Sequence, residues 1–236
     1  MKVTIVGSGR AGQSFAIALG AVGHDVTLLH HDELERVDGD VVLLTVPDDA
    51  LAEVANALAP DATRVVAHAA GSRTLEVLGR HPRVASLHPL AALSSPERGA
   101  ARLRGATYCV AGDPVADELV RSLDGRVITL EDSRRTLYHA TATVAANHLV
   151  ALMGQVERLA NESGLELEDF LALAGQALAD VASDGPARAL TGPASRGDVE
   201  TIDAHLAAMP ESERAAYVAL AAAAFELAER RSTLPA

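Results

Sequence analysis

Seven short runs of aliphatic and β-branched residues punctuate the first 130 positions, and between several of them the apolar residues recur at helical spacing. The runs are KVTIV (2–6), DVTLLH (25–30), DVVLLTV (40–46), TRVVAHA (63–69), RVASLH (83–88), ATYCVA (106–111) and RVITL (126–130). Helical patterns occupy 11–22, 48–58, 73–79 and 114–123. Strands that are apolar almost throughout are the kind buried on both faces, and their alternation with helices predicts a parallel sheet covered on both sides.

Past EDS at 131–133 no strand pattern remains. Ala/Leu-rich helices are predicted over 134–163, 167–183, 198–208 and 211–230, with Pro210 suited to the first turn of the last. The expected fold is α/β: a Rossmann-type, mostly parallel sheet over 1–132, followed by a smaller all-α domain over 133–236. Within the first of these later helices, LYHATATVAANHLVALMG (137–154) carries His139, Thr143 and Asn147 four residues apart. Steps of four drift by only about 40° around a helix, so the three form one polar stripe, with His148 on the opposite face. Such a stripe is either wet surface or the wall of a site.

Composition narrows the setting. The 236 residues are 49% hydrophobic with a formal net charge of −12, which suits a soluble globular protein and argues against nucleic acid or an anionic membrane as partner. The N-terminal segment reads as a strand rather than a leader, and the longest apolar stretch is too short and Ala-rich for a membrane span. A single cysteine, Cys109, fits a reducing compartment and is expected to be a buried, inert thiol, so the expected location is cytoplasmic. Lys2 is the only lysine, and it opens the first strand, so no lysine is expected in an active site.

TIVGSGRAG places Gly7-x-Gly9-x-x-Gly12 directly after a strand and at the start of a helix. Gly7 permits the tight turn, Gly9 lets the backbone approach a pyrophosphate, and Gly12 allows close helix–strand packing. The helix N-terminus offers free N–H groups to the phosphates, so Gly7, Ser8, Gly9, Arg10, Ala11 and Gly12 are the expected dinucleotide cradle. At the end of the second strand, where the adenosine ribose is read, stand His30 and His31 followed by Asp32. The histidines and Arg10 favour the 2′-phosphate of NADP over NAD, whereas Asp32 argues the other way. Val46-Pro47 in LTVPDDAL makes a rigid turn where a nicotinamide dinucleotide would cross the sheet edge. Asp48 is expected to cap the helix that follows.

With these pieces the chain resembles the 6-phosphogluconate-dehydrogenase-like superfamily, and within it Rossmann-like proteins carrying a helical C-terminal domain of undetermined function. The segments that carry the resemblance are VGSGRAG (6–12), TVPDDAL (45–51), VVAHAAGS (65–72), VASLHPLAAL (84–93), YHATATVAANHLVAL (138–152) and LTGPASRGD (190–198). Relatives include pyrroline-carboxylate reductases, ketopantoate reductases, hydroxyisobutyrate-type dehydrogenases, imine reductases and prephenate dehydrogenases. The resemblance implies nicotinamide binding by the first domain and a homodimer built through the second, which would also contact substrate. It also exposes a departure. Hydroxyisobutyrate-type enzymes carry Lys-x-x-x-Asn here, and aligning on Asn147 puts Thr143 at the lysine position.

Reduction of a C=O or C=N bond by hydride needs a proton donor within reach, and histidine suits best. His88, ending a strand in SLHPL, is similar to the His-Pro step of prephenate dehydrogenases. His139 is the second candidate, with Asn147 orienting a polar group and Thr143 and Ser72 as substrate contacts; His68 lies on the same stretch as Ser72. Each histidine also has a plain structural reading, and Tyr138 reads as a packing or interface residue. Arg196, in the turn LTGPASRGD, either holds a substrate carboxylate or phosphate or belongs to a turn in which Asp198 caps the next helix. No histidine or cysteine spacing indicates a metal. The leading expectation is an NAD(P)-dependent oxidoreductase acting on a small polar keto acid or imine. The alternative is a nucleotide-binding sensor or partner protein on a dehydrogenase scaffold that has lost hydride chemistry.

Overall fold

A computed structural model describes residues 1–232. Its first 130 residues form seven strands: β1 (Lys2–Val6), β2 (Asp25–Leu29), β3 (Val41–Leu44), β4 (Val65–His68), β5 (Val84–Pro89), β6 (Thr107–Gly112) and β7 (Arg126–Thr129). They make one sheet in the order β2-β1-β3-β4-β5-β6-β7, parallel throughout except for the antiparallel β5–β6 pair. This is the mostly parallel, Rossmann-type arrangement that the pattern predicts. Each predicted run contains a strand, although 40–46 ends at Leu44, because Thr45 onward belongs to the turn.

The apolar runs are explained by burial on both faces. Val41 and Leu43 enter one core cluster with Val3, Ile5, Phe15 and Leu19. Val42 and Leu44 enter another with Val6, Leu51, Val54 and Val66. Successive side chains of a strand point to opposite faces, so two cores consume every position. Because β1, β3, β4 and β5 run parallel, the turns that leave them emerge at one carboxyl edge, where ligands of open α/β sheets bind.

The helices of this part are α1 (Arg10–Ala21), α2 (Leu51–Ala57), α3 (Pro96–Leu103) and α4 (Val115–Ser122). The predicted helix at 73–79 is a short 3-10 turn, Leu75–Leu78. The sequence reading missed α3, although its start is signalled: Ser95 accepts from the Arg98 N–H and Pro96 occupies the first turn. Asp48 does not cap α2, a correction to the expected role. The helix begins only after Ala50, with no side-chain cap, and the Asp48 carboxylate instead accepts from Ser72 Oγ and lies 3.7 Å from Arg73 Nε.

From Asp132 onward the described chain is helical: α5 (Arg135–Thr143), α6 (Leu149–Glu162), α7 (Glu168–Asp184), α8 (Pro186–Ala189), α9 (Pro193–Arg196), α10 (Val199–Ala208) and α11 (Glu211–Ser232). The single helix expected over 134–163 is interrupted by a π-helical turn at Val144–His148, which invalidates the ideal-helix angle used for His148. His148 is exposed. The short helices α8 and α9 fall between the predicted ones, each opened by a proline in its first turn. By compactness the chain divides into Met1–Asn147 and His148–Ala236, so α5 and most of the π-turn belong with the sheet.

In the second unit Asp198 caps α10 as expected, accepting from the Thr201 N–H at 3.1 Å. Gln155 donates to the Glu213 carbonyl at 2.9 Å, and Arg158 pairs with the Glu213 carboxylate at 2.6 and 3.0 Å. No helix among the described residues is long and apolar enough to cross a membrane.

Candidate active site

Two cavities of about 440 Å³ each open in the first unit. One is lined by Gly7, Ser8, Gly9, Arg10 and Ala11 of the turn after β1, by His30 and His31 after β2, and by Thr45, Val46 and Pro47 after β3. Gly7 has φ +114°, and a Cβ there would meet the backbone of Thr45 and Val46 at 2.9 Å. A Cβ on Gly12 would lie 1.8 Å from the Gly7 carbonyl oxygen, so α1 can approach β1 only with glycine there. Thr45 Oγ1 clips the turn by donating toward the Val6 and Gly7 carbonyls at 3.1 and 2.9 Å.

Gly9 differs from its two neighbours, because a Cβ there would meet nothing within 4 Å. It sits at the N-terminus of α1, which has no side-chain cap and no acidic residue in its first turn. The helix N-terminus is thus electropositive. A dinucleotide pyrophosphate fits this arrangement. At the rim, His30 Nδ1 is 2.7 Å from the Asp32 carboxylate and the His30 N–H donates to Glu33 at 2.8 Å. The His30 and His31 rings lie 4.2 Å apart. Asp32 is therefore engaged with His30, and this contact holds its carboxyl below the ordinary range.

The second cavity is lined by His88, Pro89, Leu90, Ala91 and Ala92 from the end of β5, and by His139, Ala142, Thr143, Ala145, Ala146 and Asn147 from α5 and the π-turn. The polar stripe of the sequence is one wall and the histidine that ends β5 is another. The His88 and His139 rings stand 6.0 Å apart at 70°. Gly71, buried in the turn after β4, lies against both. A Cβ on it would be 2.7 Å from His88 Nε2 and 2.7 Å from His139 Nδ1. With glycine there the imidazoles approach the backbone this closely; a side chain would push one or both aside.

Behind this wall lies a polar cluster that sequence reasoning did not find. Tyr138, expected to be a packing residue, has its hydroxyl 2.8 Å from His88 Nδ1. Arg135 is 1% exposed, and its guanidinium donates to Ser86 Oγ at 2.6 Å and to the Asp132 carboxylate at 3.0 Å. Burial, reinforced by His139 and Arg135, pushes His88 down to about 4. Burial and Arg135 likewise push His68, which is fully buried at the end of β4, to about 4. His68 Nδ1 accepts from the Ala70 N–H at 3.2 Å, so it braces the turn that carries Gly71. Burial raises the Cys109 thiol, as expected of an inert core cysteine.

Ser72 does not line the cavity; its hydroxyl is committed to Asp48. Arg196 belongs to the second unit, where its exposed guanidinium lies 3.8 Å from Asp198. Lys2 is partly exposed and pairs with Asp38, so Thr143 stands in the cavity wall with no lysine in the chain to replace the one that its position suggests.

Comparison with known proteins agrees with this architecture. A family model described as a domain of unknown function, DUF2520, matches residues 107–224. No curated protein matches the sequence. Among solved structures, a Bacteroides fragilis protein proposed to be an NADP oxidoreductase has a TM-score of 0.80 at 20% identity, covering 95% of this chain and 98% of its own. A Thermotoga maritima protein has a TM-score of 0.77 at 21% identity, covering 98% and 99%. The pyrroline carboxylate reductase of Plasmodium falciparum, solved with NADP bound, has a TM-score of 0.63 at 13% identity, covering 97% and 98%. At these identities the shared property is the fold: a Rossmann-type domain followed by a helical region.

Proposed function

We propose, from the premise that the chain belongs to the DUF2520 family, that it is a nicotinamide-dinucleotide-dependent reductase of a small polar carbonyl or imine compound, of the keto acid or imine class. The observation that carries this reading is the pair of cavities on one sheet edge, one built from the glycine turn and the other walled by His88, His139, Thr143 and Asn147. In this reading residues 1–132 bind the dinucleotide, and the helical part from 133 contacts substrate and forms a homodimer. The buried single cysteine accords with a cytoplasmic location.

The bound dinucleotide would supply a hydride. Gly7 to Gly12 would hold its pyrophosphate, and Val46 and Pro47 would support it across the sheet edge. His30, His31 and Arg10 would receive a 2′-phosphate, which makes NADP the favoured form. His88, neutral at pH 7, would donate a hydrogen bond to the reacting oxygen or nitrogen, and His139 would deliver the proton. Asn147 and Thr143 would orient the substrate. Ser72 would act through Asp48 rather than by contact, and Arg196 is retained as a candidate anion contact.

A second reading has one observation in its favour: Thr143 occupies the place of a proton-transferring lysine. A sensor or partner protein that binds nucleotide without turnover would look the same there. The two are separated by following NADPH oxidation over a panel of keto acids, aldehydes and cyclic imines. The reductase reading predicts turnover that His139→Ala lowers at least about 100-fold. Binding of NADPH with no turnover across the panel would favour the sensor.

A further inference from the structure

The hydrogen bond between His88 and Tyr138 decides which way the cavity wall is polarised. His88 lines the cavity, one of its nitrogens, Nδ1, is taken by the Tyr138 hydroxyl at 2.8 Å, and the other, Nε2, faces the side where Gly71 and His139 lie. The two rings meet edge to face, 5.6 Å between centroids and 86° between planes. A neutral imidazole has one N–H and one lone pair, and a phenol has one O–H.

Donor accounting favours one direction. If Nδ1 carried the hydrogen, it would donate to the phenolic oxygen, and the half-buried Tyr138 O–H would need another acceptor. Leaving a donor without an acceptor in the wall is costlier than leaving a phenolic oxygen with nothing to accept. Burial also raises the Tyr138 pKa, which keeps it a neutral phenol with its hydrogen in place.

We propose that Tyr138 is a positioning residue: by donating to His88 Nδ1 it fixes the Nε2–H tautomer, so that the cavity presents a hydrogen-bond donor to the reacting atom of its substrate. This rests on the reading of that cavity as the substrate site and sharpens it. A substrate whose reacting atom carries a lone pair, a carbonyl oxygen or a neutral imine nitrogen, is accepted there. The benefit is largest where negative charge develops on that atom as hydride arrives, and His139 handles the proton.

The charged and titratable groups around His88 are His139 and Arg135 of α5, Asp48 of the turn after β3, His68 of β4, Cys109 of β6 and Tyr138 itself. Of these, only Tyr138 is hydrogen-bonded to the His88 ring. Its effect is separable from the field of the others, because a bond to the neutral form of histidine holds down proton uptake.

The test is nitrogen NMR of the protein labelled with ¹⁵N-histidine, the His88 resonances being identified by their loss in His88→Gln. Long-range proton–nitrogen couplings distinguish the two neutral tautomers directly. Wild-type protein is expected to show His88 as the Nε2–H form. Tyr138→Phe, which keeps the ring, is expected to give mixed tautomers and to raise the His88 titration midpoint by about one pH unit. An Nδ1–H tautomer in the wild type would overturn the proposal, and so would an unchanged tautomer and midpoint in Tyr138→Phe. The wild-type spectrum stands as a test even if that variant does not fold. Failure of the reductase reading shows elsewhere, as absent NADPH binding or turnover, and leaves this spectrum untouched.

Discussion

Gly71 and His139 meet so closely that a single added carbon on Gly71 would come within 2.7 Å of His139 Nδ1, and the same carbon would lie equally close to His88 Nε2. The turn after β4 is therefore the partition against which both imidazoles rest. Gly71→Ala is expected to displace them, because its added carbon would take space that both rings now occupy. Overpacking of this kind costs about 1–3 kcal/mol of stability. Activity is expected to fall more steeply, by at least about 10-fold in kcat/KM, with the affinity for NADPH unchanged. Steady-state kinetics beside cofactor titration checks both halves.

Gly12→Ala is the contrasting substitution. Its Cβ would lie 1.8 Å from a backbone oxygen, that of Gly7, and 2.7 Å from Thr45 Oγ1. Backbone cannot swing aside as a side chain does, so the glycine turn itself must open. NADPH binding is expected to weaken at least about 10-fold, together with a stability loss of about 1–3 kcal/mol or more. Isothermal titration and urea unfolding on the same preparation measure the two effects.

Acid stability follows from the two buried histidines. His68 and His88 titrate near 4 in the folded protein, against about 6.5 for an unperturbed histidine. Their folded pKa values are depressed, so below about 6.5 the unfolded chain takes up protons that the folded chain refuses. Stability is accordingly full above pH 6.5 and is lost as pH falls from there toward 4, by about 3 kcal/mol for each histidine as an upper figure. Urea midpoints measured from pH 7.5 to 4.5 should fall steadily. His88→Gln is expected to flatten part of that slope.

The helical unit predicts association. None of the residues of α7 is buried within the described chain, and Leu173 and Leu178 are 63% and 53% exposed. Leaving such a face in water forgoes about 1.5–3 kcal/mol per large side chain, which a partner subunit would recover. The proposed homodimer is checked by sedimentation velocity. Wild-type protein should sediment as a dimer and the double variant Leu173→Glu/Leu178→Glu as a monomer.

Much of the fold was legible because its physics is local. Strands buried on both faces must be apolar at every position, which is why Val41 to Leu44 stand out, and Gly7 and Gly12 are glycines for reasons a sequence motif states. The convergence of His88 with His139, Thr143 and Asn147 was also legible, since the four-residue spacing survives into the π-turn. What escaped depends on pairs of elements distant in sequence. Tyr138 meets His88 across 50 positions. Arg135 reads as an ordinary surface arginine at the start of a helix, because charged side chains are seldom fully buried, and only the fold shows Ser86 and Asp132 waiting for it. Asp48 was misread for the same reason: its partners, Ser72 and Arg73, come from the turn after the next strand.

The central claim is that the glycine turn and its flanking cavity hold a nicotinamide dinucleotide, and direct titration with NADPH and NADH tests it most simply. The chain has no tryptophan, so the fluorescence of the reduced nicotinamide is free of energy transfer from indole. Saturable binding of both, tighter for NADPH and weakened at least about 10-fold by Gly12→Ala, is the predicted result. No saturable binding of either, repeated with the oxidised forms, would contradict the account.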